Sequence, residues 1–452
     1  MTAVNVNETL DARRASELLA RSGGGKRKIG VELEMSLLRQ DDLEPATFDG
    51  PQGIERVLES LRARGEFRSE YEGEALIGLA APDGEAYSLE PGGQFELSTA
   101  PLETLAEVGR SLREKTAQLA AIAEEHELFL LGGGIVLHGA EGVPWMPKNR
   151  YRIMREYFAS LGHAGHLGHT MMQRTLSLQI SLDFADAQDA MDLLRISLLA
   201  APAATALFAC SPFDGQEEAQ CASLRAKAWL FTDPGRAQDA TGCTSPLATL
   251  DDYTAYAFDA PMMFRVRDGK YAPMHGASFR EVVERGVWPN GDPVVEKDWW
   301  THLGSIFTNS RLKKGVIELR STDGQRPEEL LAVPAFWVGL LYDDTSRAAA
   351  RELLGKVDLA DHTADLERAP CQALADARLR EQALALVELA QAGVERRVRA
   401  GIEPESVLDA LRPAIARARA GRTPAAELLE GWRGEWAGDR RRLVDALRYP
   451  SA

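Results

Sequence analysis

Four segments of this 452-residue chain alternate apolar and polar residues with a period of two, at residues 28–35, 89–98, 174–183 and 316–324. In a β-strand successive side chains point to opposite faces, so each segment can bury one set of residues and present the other on a single face. In the first segment the apolar set is Val31, Leu33 and Met35. The pattern predicts half-buried strands, which are typical of an antiparallel sheet.

The polar faces of these strands have an unusual composition. They carry carboxylate and amide side chains, which are contributed by Glu32, Glu34, Glu90, Glu96, Gln179 and Glu318. No lysine occurs within residues 31–35 or 90–98. For any single strand, a solvent-facing surface is the simplest interpretation. Four strands that share Glu, Gln, Ser, Thr and Arg favour the lining of a site instead.

Carboxylate and amide oxygens are the ligands that Mg²⁺ prefers in proteins. Carboxylates that converge without cations raise one another's pKa, so their convergence implies metal ions, arginines or both. Arg174, Arg225 and Arg320 are candidates for the counter-charge and for gripping a carboxylate or a phosphoryl group. For Arg225, an ordinary surface ion pair is an equal alternative.

Histidine and cysteine give no sign of a transition-metal centre. His163, His166 and His169 are each preceded by a glycine, which indicates a loop, and His169 is a candidate substrate contact. The cysteines form no C-x-x-C pair and are predicted to be reduced; they are Cys210, Cys221, Cys243 and Cys371.

Composition excludes several classes of protein. A net charge of -16 disfavours nucleic-acid and anionic-membrane partners, and 45% hydrophobic residues are enough for a large core. Residues 193–209 carry Arg195 and Pro202 and are predicted to form a buried helix, not a membrane span. Residues 1–21 lack an apolar stretch, so we expect a cytoplasmic protein.

Residues 1–27 are predicted to form an N-terminal helix and a flexible Gly-rich segment. After about residue 327 the sequence becomes rich in Leu, Ala, Arg and Glu, which predicts a helical C-terminal region. Predicted helices cover residues 10–20, 54–64, 102–126, 191–209, 253–263, 381–400 and 407–419. The Gly-rich stretch at 132–134 is not followed by Gly-Lys-Ser/Thr, so it is not a Walker A loop.

An acidic sheet face with arginines fits ATP-driven activation of a carboxylate, in which an amine displaces phosphate from an acyl phosphate. A metal-dependent hydrolase is the alternative, but such enzymes usually recruit histidine, which these strands lack.

The chain resembles the plant-type glutamate-cysteine ligases, which also occur in bacteria. The shared motifs are GVELE at 30–34, SLEPGGQFELS at 88–98, MPKNRYRIM at 146–154, MMQRT at 171–175, ATALF at 204–208, YAFDAPM at 256–262, ELR at 318–320 and PAFWVGLLYD at 334–343. This resemblance implies an α+β, glutamine-synthetase-like fold: a curved antiparallel sheet forming a funnel, with helices packed outside and ATP and Mg²⁺ within.

The resemblance also implies roles for particular residues. The metal ligands or their supports would be Glu32, Glu34, Glu90, Glu96, Gln179 and Glu318. Arg174, Arg225 and Arg320 would hold the glutamate carboxylates and the phosphoryl group, with Arg174, Arg320 and Glu318 taking part in catalysis. The amino-acid pocket would include Met171, Met172, Tyr253 and Tyr256.

The implied reaction is the ligation of glutamate to cysteine through γ-glutamyl phosphate, the first step of glutathione biosynthesis. Glutamate, cysteine and ATP would be the only partners, and a monomer and a homodimer are both left open. His169-Thr170 stands where the family often has Leu-Asp, and Cys210 where it often has Asn. A ligase with a different amine acceptor is therefore the first alternative, and a non-catalytic ligand-binding relative is the second.

Overall fold

A computed structural model describes residues 9–21, 26–238 and 241–451 of the chain. The flexible segment predicted around residues 22–25 lies outside the described residues.

The strands are short except for the first. They are β1 (Ile29–Arg39), β2 (Arg68–Glu72), β3 (Ala75–Ala80), β4 (Ala86–Leu89), β5 (Phe95–Ser98), β6 (Leu128–Leu131), β7 (Leu178–Asp183), β8 (Phe213–Asp214), β9 (Glu217–Glu218), β10 (Phe264–Arg267), β11 (Lys270–Pro273), β12 (Ser310–Lys313) and β13 (Val316–Leu319).

The α-helices of the described residues begin before the sheet and dominate the C-terminal third. They are α1 (Ala12–Ala20), α2 (Ile54–Arg62), α3 (Leu105–Glu125), α4 (Asn149–Ser160), α5 (Gly168–Arg174), α6 (Ala187–Leu207), α7 (Leu224–Leu230), α8 (Leu250–Asp259), α9 (Phe279–Arg285), α10 (Glu296–Leu303), α11 (Ala332–Leu341), α12 (Asp344–Leu354), α13 (Leu359–Gln372), α14 (Ala377–Arg399), α15 (Arg412–Ala420), α16 (Pro424–Arg433) and α17 (Arg440–Leu447).

Nine strands form one sheet in the order β12-β13-β7-β1-β5-β4-β3-β2, and β6 pairs with the far end of β1. All of these pairings are antiparallel. The four segments with period two supply β13, β7, β1 and β5, which are consecutive in the sheet. The predicted antiparallel, mixed α/β architecture is therefore confirmed, and its polar strands are neighbours.

A helical layer covers the apolar side of the sheet. Val31, Leu33 and Met35 are at most 1% exposed, and every residue of α11 is buried. Helix α11 contacts β1, β7 and α14, and α14 also contacts α6. Burial of this much apolar surface is the main force that holds the helices on the sheet.

Two glycines bring α11 and α14 unusually close. A Cβ atom on Gly339 would come within 2.2 Å of the Ala390 carbonyl oxygen, and one on Gly393 within 2.0 Å of the Gly339 carbonyl oxygen. Because no other residue lacks a Cβ, only glycine permits this approach of the two backbones. The C-terminal helices are thus packed directly against the helix that supports β7.

Helix α6 contains the predicted buried helix at residues 193–209 except for the last two of them. By length and composition, it is the one helix among the described residues that could cross a membrane, and 89% of its most apolar stretch is buried in the protein.

Two local predictions are wrong. The Gly-His segment is largely helical: a 3-10 turn covers Gly162–Gly165, and α5 starts at Gly168. A Cβ on Gly168 would come within 2.8 Å of the Phe158 Cβ, so this glycine serves close packing and not a loop. Cys221 and Cys371, predicted to be reduced, form a disulfide. Their separation of 150 residues hides this pairing from the sequence; Cys210 and Cys243 are free and buried.

Candidate active site

The register of the sheet sets the acidic residues side by side. Glu34 of β1 lies directly opposite Glu96 of β5, and Glu32 lies opposite Gln179 of β7. Residues that face one another across antiparallel strands have their Cβ atoms about 4.5–5.5 Å apart, and like charges placed this way are destabilising. The fold therefore brings together carboxylates that repel each other.

These side chains open into a cavity of about 510 Å³, a size typical of small-molecule sites. Its acidic lining is formed by Glu32, Glu34, Glu70, Glu72, Glu90 and Glu96, with Gln94 and Gln179 between them. Its basic lining is formed by Lys148, Arg150, Arg311, Lys313 and Arg320. Apolar side chains complete the wall, among them Met154, Met171, Met172, Trp229, Phe264 and Phe307.

The electrostatics of the acidic lining show a deficit of positive charge. Burial, followed by the charges of Glu90 and Glu96, raises the pKa of Glu34 to about 8. Burial and the charge of Glu318 raise the pKa of Glu32 to about 7. The pKa of Glu96 is also raised, by burial and then by Glu90. A cation bound among these groups would reverse the repulsion between them.

Glu318 is in the opposite situation. It is completely buried, and its carboxylate accepts hydrogen bonds from Arg311 Nε at 2.5 Å, Lys313 Nζ at 2.6 Å and Arg320 Nη1 at 2.9 Å. Burial acts to raise the pKa of Glu318, but these three cations outweigh it and hold the pKa well below the ordinary value. The carboxylate is thus ionised and fully compensated.

A second basic group lies near the end of β4. Lys148 Nζ donates to the Leu89 carbonyl at 2.7 Å, and Tyr151 donates to the same oxygen. Burial, then the charge of Arg150, lowers the pKa of Lys148 to about 8. Strands β13 and β4 are four steps apart in the sheet, so the acidic strands β1 and β5 lie between the two basic groups.

The structure brings most of the predicted site residues into this cavity. Its lining includes Glu32, Glu34, Glu90, Glu96, Gln179, Arg320, Met171 and Met172. Gln179 connects the two halves of the site, because its Oε1 accepts from Arg320 at 2.5 Å while its Nε2 donates to Ser177 Oγ and Glu34.

Other predicted residues lie off the cavity wall. Arg174 ends α5, not a strand, and its guanidinium pairs with Asp214 at 2.6 Å. Tyr253 is buried and accepts a hydrogen bond from the Leu312 amide, and Tyr256 donates to the Gln238 carbonyl. In this structure none of these three lines the cavity.

Glu318 and Arg225 lie just behind the wall. Glu318 is beneath the basic residues that cover it. Arg225 lines a small chamber that shares Trp229, Phe307 and Arg320 with the cavity, and it donates to the Arg320 carbonyl at 2.6 Å. Arg225 therefore supports Arg320 from behind.

The residues fit a hard cation by the chemistry of their donors. The lining offers several carboxylates with raised pKa and no histidine. Across the described parts of the chain, no three His, Cys, Asp or Glu side chains already form a ligand cluster. A cation that takes one or two carboxylates and completes its shell with water and substrate phosphates matches this arrangement.

Sequence reasoning missed Lys313, Arg311, Lys148 and Arg150. Arg311 and Lys313 flank Leu312 as Glu32 and Glu34 flank Leu33, and Arg311 lies opposite Glu318 in the register. The same period of two was present there, in a strand of four residues. Lys148 and Arg150 lie within the MPKNRYRIM motif, which carries no strand periodicity.

An antiparallel sheet whose acidic face meets basic groups across one cavity, backed by helices, suits a ligase that acts on anionic substrates. Within this class, the chain belongs to the glutamate-cysteine ligase family 2, whose family model matches residues 28–446.

Individual relatives agree with this assignment. The chain is 37% identical to the chloroplastic glutamate-cysteine ligase of Brassica juncea over 91% of this chain and 78% of the relative. It is 36% identical to the chloroplastic enzyme of Arabidopsis thaliana, over 94% and 80%. The fold is similar to that of glutamate-cysteine ligase from Francisella tularensis, solved in complex with AMP, with a TM-score of 0.53 at 14% identity, over 93% of this chain and 88% of the other.

The plant relatives correct the expected location. Both are chloroplastic enzymes, and this contradicts the cytoplasmic location that we expected from the sequence. That expectation came from the lack of an apolar stretch in residues 1–21.

Proposed function

We propose that the chain joins the γ-carboxylate of glutamate to the amine of cysteine at the expense of ATP, through γ-glutamyl phosphate. Family membership supports the reaction, and one observation supports placing the reaction in this cavity. Mutually repelling carboxylates on β1 and β5 lie in the same chamber as Arg320 and Lys313. Such a chamber suits a polyanion that arrives with a divalent cation.

Glu32, Glu34, Glu90 and Glu96 would hold Mg²⁺, which when bound supplies positive charge to the phosphate oxygens. Gln179 would orient Glu34 and Arg320, since it hydrogen-bonds to both. Glu318 is saturated by cations, so its role would be to order Arg320 and Lys313 and not to ligate.

The residues of the chain would bind and orient the reacting groups. In the first step a glutamate γ-carboxylate oxygen forms a bond to the γ-phosphorus, and ADP leaves with the electron pair of the broken P–O bond. In the second step the neutral amine forms the C–N bond, phosphate leaves with the electrons of the C–O bond, and water takes the amine proton. Positioning and charge stabilisation account for catalysis of this kind.

The apolar wall would receive the amino acids. Met171, Met172 and Trp229 are polarisable or aromatic groups that suit a thiol side chain. Arg225, as the support of Arg320, and Arg174, Tyr253 and Tyr256 remain candidates whose contribution would pass through neighbouring residues.

The remaining parts of the prediction are proposed on the same basis. The sheet would curve into the funnel of the glutamine-synthetase-like fold, with residues 28–345 as the catalytic core and residues 346–452 as a helical region packed on it. The contacts of α14 with α11 and α6 support this arrangement.

A different amine acceptor was suggested by His169-Thr170. His169 contacts the Trp145 ring and hydrogen-bonds to the Arg155 carbonyl, and neither it nor Thr170 lines the cavity. Cys210, the second departure from the family, is buried with its amide donating to Asp323. Neither departure therefore lines the proposed acceptor site, which favours cysteine.

The test is incubation of the purified protein with ATP, Mg²⁺, glutamate and each amino acid in turn, with phosphate release and dipeptide measured together. We expect stoichiometric phosphate and γ-glutamylcysteine with cysteine. Turnover only with another amine would replace the acceptor, and no turnover with any amine would leave the binding-protein alternative. Glu34→Gln should abolish turnover, whereas Glu74→Gln, at an exposed turn, should retain it.

A further inference from the structure

We propose that Lys313 is a catalytic residue that contacts the transferring phosphoryl group, after moving its ammonium away from Glu318. This inference rests on the proposed function. It assigns a role to a residue that neither the sequence motifs nor the acidic lining points to.

Lys313 is the accessible member of the cation cluster around Glu318. The side chains of Arg311 and Arg320 are 6% and 10% exposed, whereas that of Lys313 is 36% exposed, at the cavity wall. It is therefore the cation that an incoming anion can reach first.

The other two cations have fixed partners. Arg311 bonds to Glu318 through Nε, and its Nη1 donates to the carbonyls of Gly304 at 3.1 Å and Ile306 at 2.6 Å. Arg320 Nη1 bridges Gln179 and Glu318. Arg311 thus anchors the wall, and Arg320 is held by the sheet.

Lys313 has donor capacity in reserve. An ammonium group has three donors, and the hydrogen bond observed for Lys313 among the described residues is the one to Glu318 Oε1. Its stem has four carbons and rotates freely, so the head can turn without a change in the backbone.

Departure of Lys313 leaves no buried charge unpaired. Glu318 would still hold Arg311 and Arg320, so one negative charge would remain beside two positive charges. The high cost of breaking a buried ion pair arises when the remaining partner is uncompensated, and this arrangement avoids it.

After leaving Glu318, the Lys313 ammonium would move towards the acidic side of the cavity. Lys313 and the acidic residues Glu32 and Glu34 line the same cavity. Mg²⁺ commonly takes protein carboxylates together with substrate phosphates as its ligands, so the anion that binds here with Mg²⁺ would be a phosphate.

In the step itself, the bond from the γ-phosphorus to the β–γ bridging oxygen breaks as the bond to the γ-carboxylate oxygen of glutamate forms. ADP keeps the electron pair. Lys313 remains protonated throughout and gives up no proton; it donates hydrogen bonds to the nonbridging oxygens on which negative charge is spread in the transition state.

The test compares Lys313→Gln with Lys314→Gln, a neighbour on the exposed turn that does not line the cavity. Binding of ADP and of the β,γ-imido analogue of ATP is measured by calorimetry with Mg²⁺, and kcat with all substrates. For Lys313→Gln we expect affinity for the analogue to fall about tenfold, or about 1.4 kcal/mol, with ADP affinity within twofold. We expect kcat to fall about a hundredfold or more.

Lys313→Arg keeps the charge and should retain the affinity for the analogue. This variant tests the role of the charge even if Lys313→Gln folds poorly. Equal weakening of ADP and the analogue would show a structural role and overturn the proposal, as would an unchanged kcat in Lys313→Gln. The proposed function is judged separately, by dipeptide formation in the wild type.

Discussion

Glu34→Gln should stabilise the protein in the absence of divalent cations while it abolishes turnover. Folding raises the pKa of Glu34 from 4.5 to about 8. The folded state therefore holds this proton more tightly than the unfolded state, and the ionised carboxylate costs stability progressively as the pH rises from 4.5 through 8. At 1.36 kcal/mol for each pH unit, the ionised carboxylate would lower the free energy of unfolding by at most about 5 kcal/mol over this interval. Because the side chain is partly open to the cavity, we expect this loss of stability to be about 2 kcal/mol above pH 8.

Glutamine reproduces the shape of Glu34 and cannot ionise. Its oxygen can still accept the Ser177 amide, which contacts Glu34 at 2.7 Å, and only the 3.3 Å contact with Gln179 is lost. Urea unfolding in EDTA, followed by circular dichroism, should give a variant about 2 kcal/mol more stable than the wild type at pH 9. At pH 5 the difference should be under about 1 kcal/mol.

The exposed Glu74→Gln variant is the matched control and should behave like the wild type at both pH values. Added Mg²⁺ should stabilise the wild type more than Glu34→Gln at pH 9. A variant less stable than the wild type at pH 9, or a gain that is the same at pH 5 and pH 9, would refute the view that unbalanced carboxylates destabilise the site.

Arg311→Met should lower the free energy of unfolding by about 2 kcal/mol, because it leaves the carbonyls of Gly304 and Ile306 without the Arg311 donor; a loss below 1 kcal/mol in urea unfolding would contradict its anchoring role. Burial lowers the pKa of His302 to about 3, so the wild type should lose stability as the pH falls from 6.5 towards 3. His302→Phe should flatten that acid limb, and parallel curves for the two proteins would exclude His302 as its source. Dithiothreitol should lower the melting temperature of the wild type but not of Cys221→Ser, because the bond to Cys371 closes a long loop; a wild type indifferent to reductant would show that the bond adds no stability.

Much of the sheet could be predicted from local patterns, because strand periodicity records which side chains share a face. It correctly grouped Glu32, Glu34 and Glu96 on one surface. It could not give the order of the strands, since β13 lies beside β7 through contacts distant in sequence. The sequence therefore did not show that Arg311 and Lys313 lie beside Glu318.

Arg174 shows a second limit. Its position has the parity of the buried leucines in an extended strand, but the chain is helical up to Arg174 and becomes a strand only at Leu178. Periodicity over a few residues does not decide between these conformations, since tertiary contacts override local preference. Lys313 was missed for the opposite reason: its strand was real but too short to stand out.

The glycine contact between α11 and α14 has a consequence for dividing the chain. Residue 345 is the proposed end of the catalytic core, yet Gly339 and Gly393 hold the helices on either side of it in backbone contact. A fragment ending there would expose the wholly apolar α11 to water and lose the partner that shields it. A fragment of this sequence that folds on its own as a ligase must therefore extend at least through α14. Transfer of the acidic sheet into another scaffold would likewise require α11 and α14 to cover its apolar side.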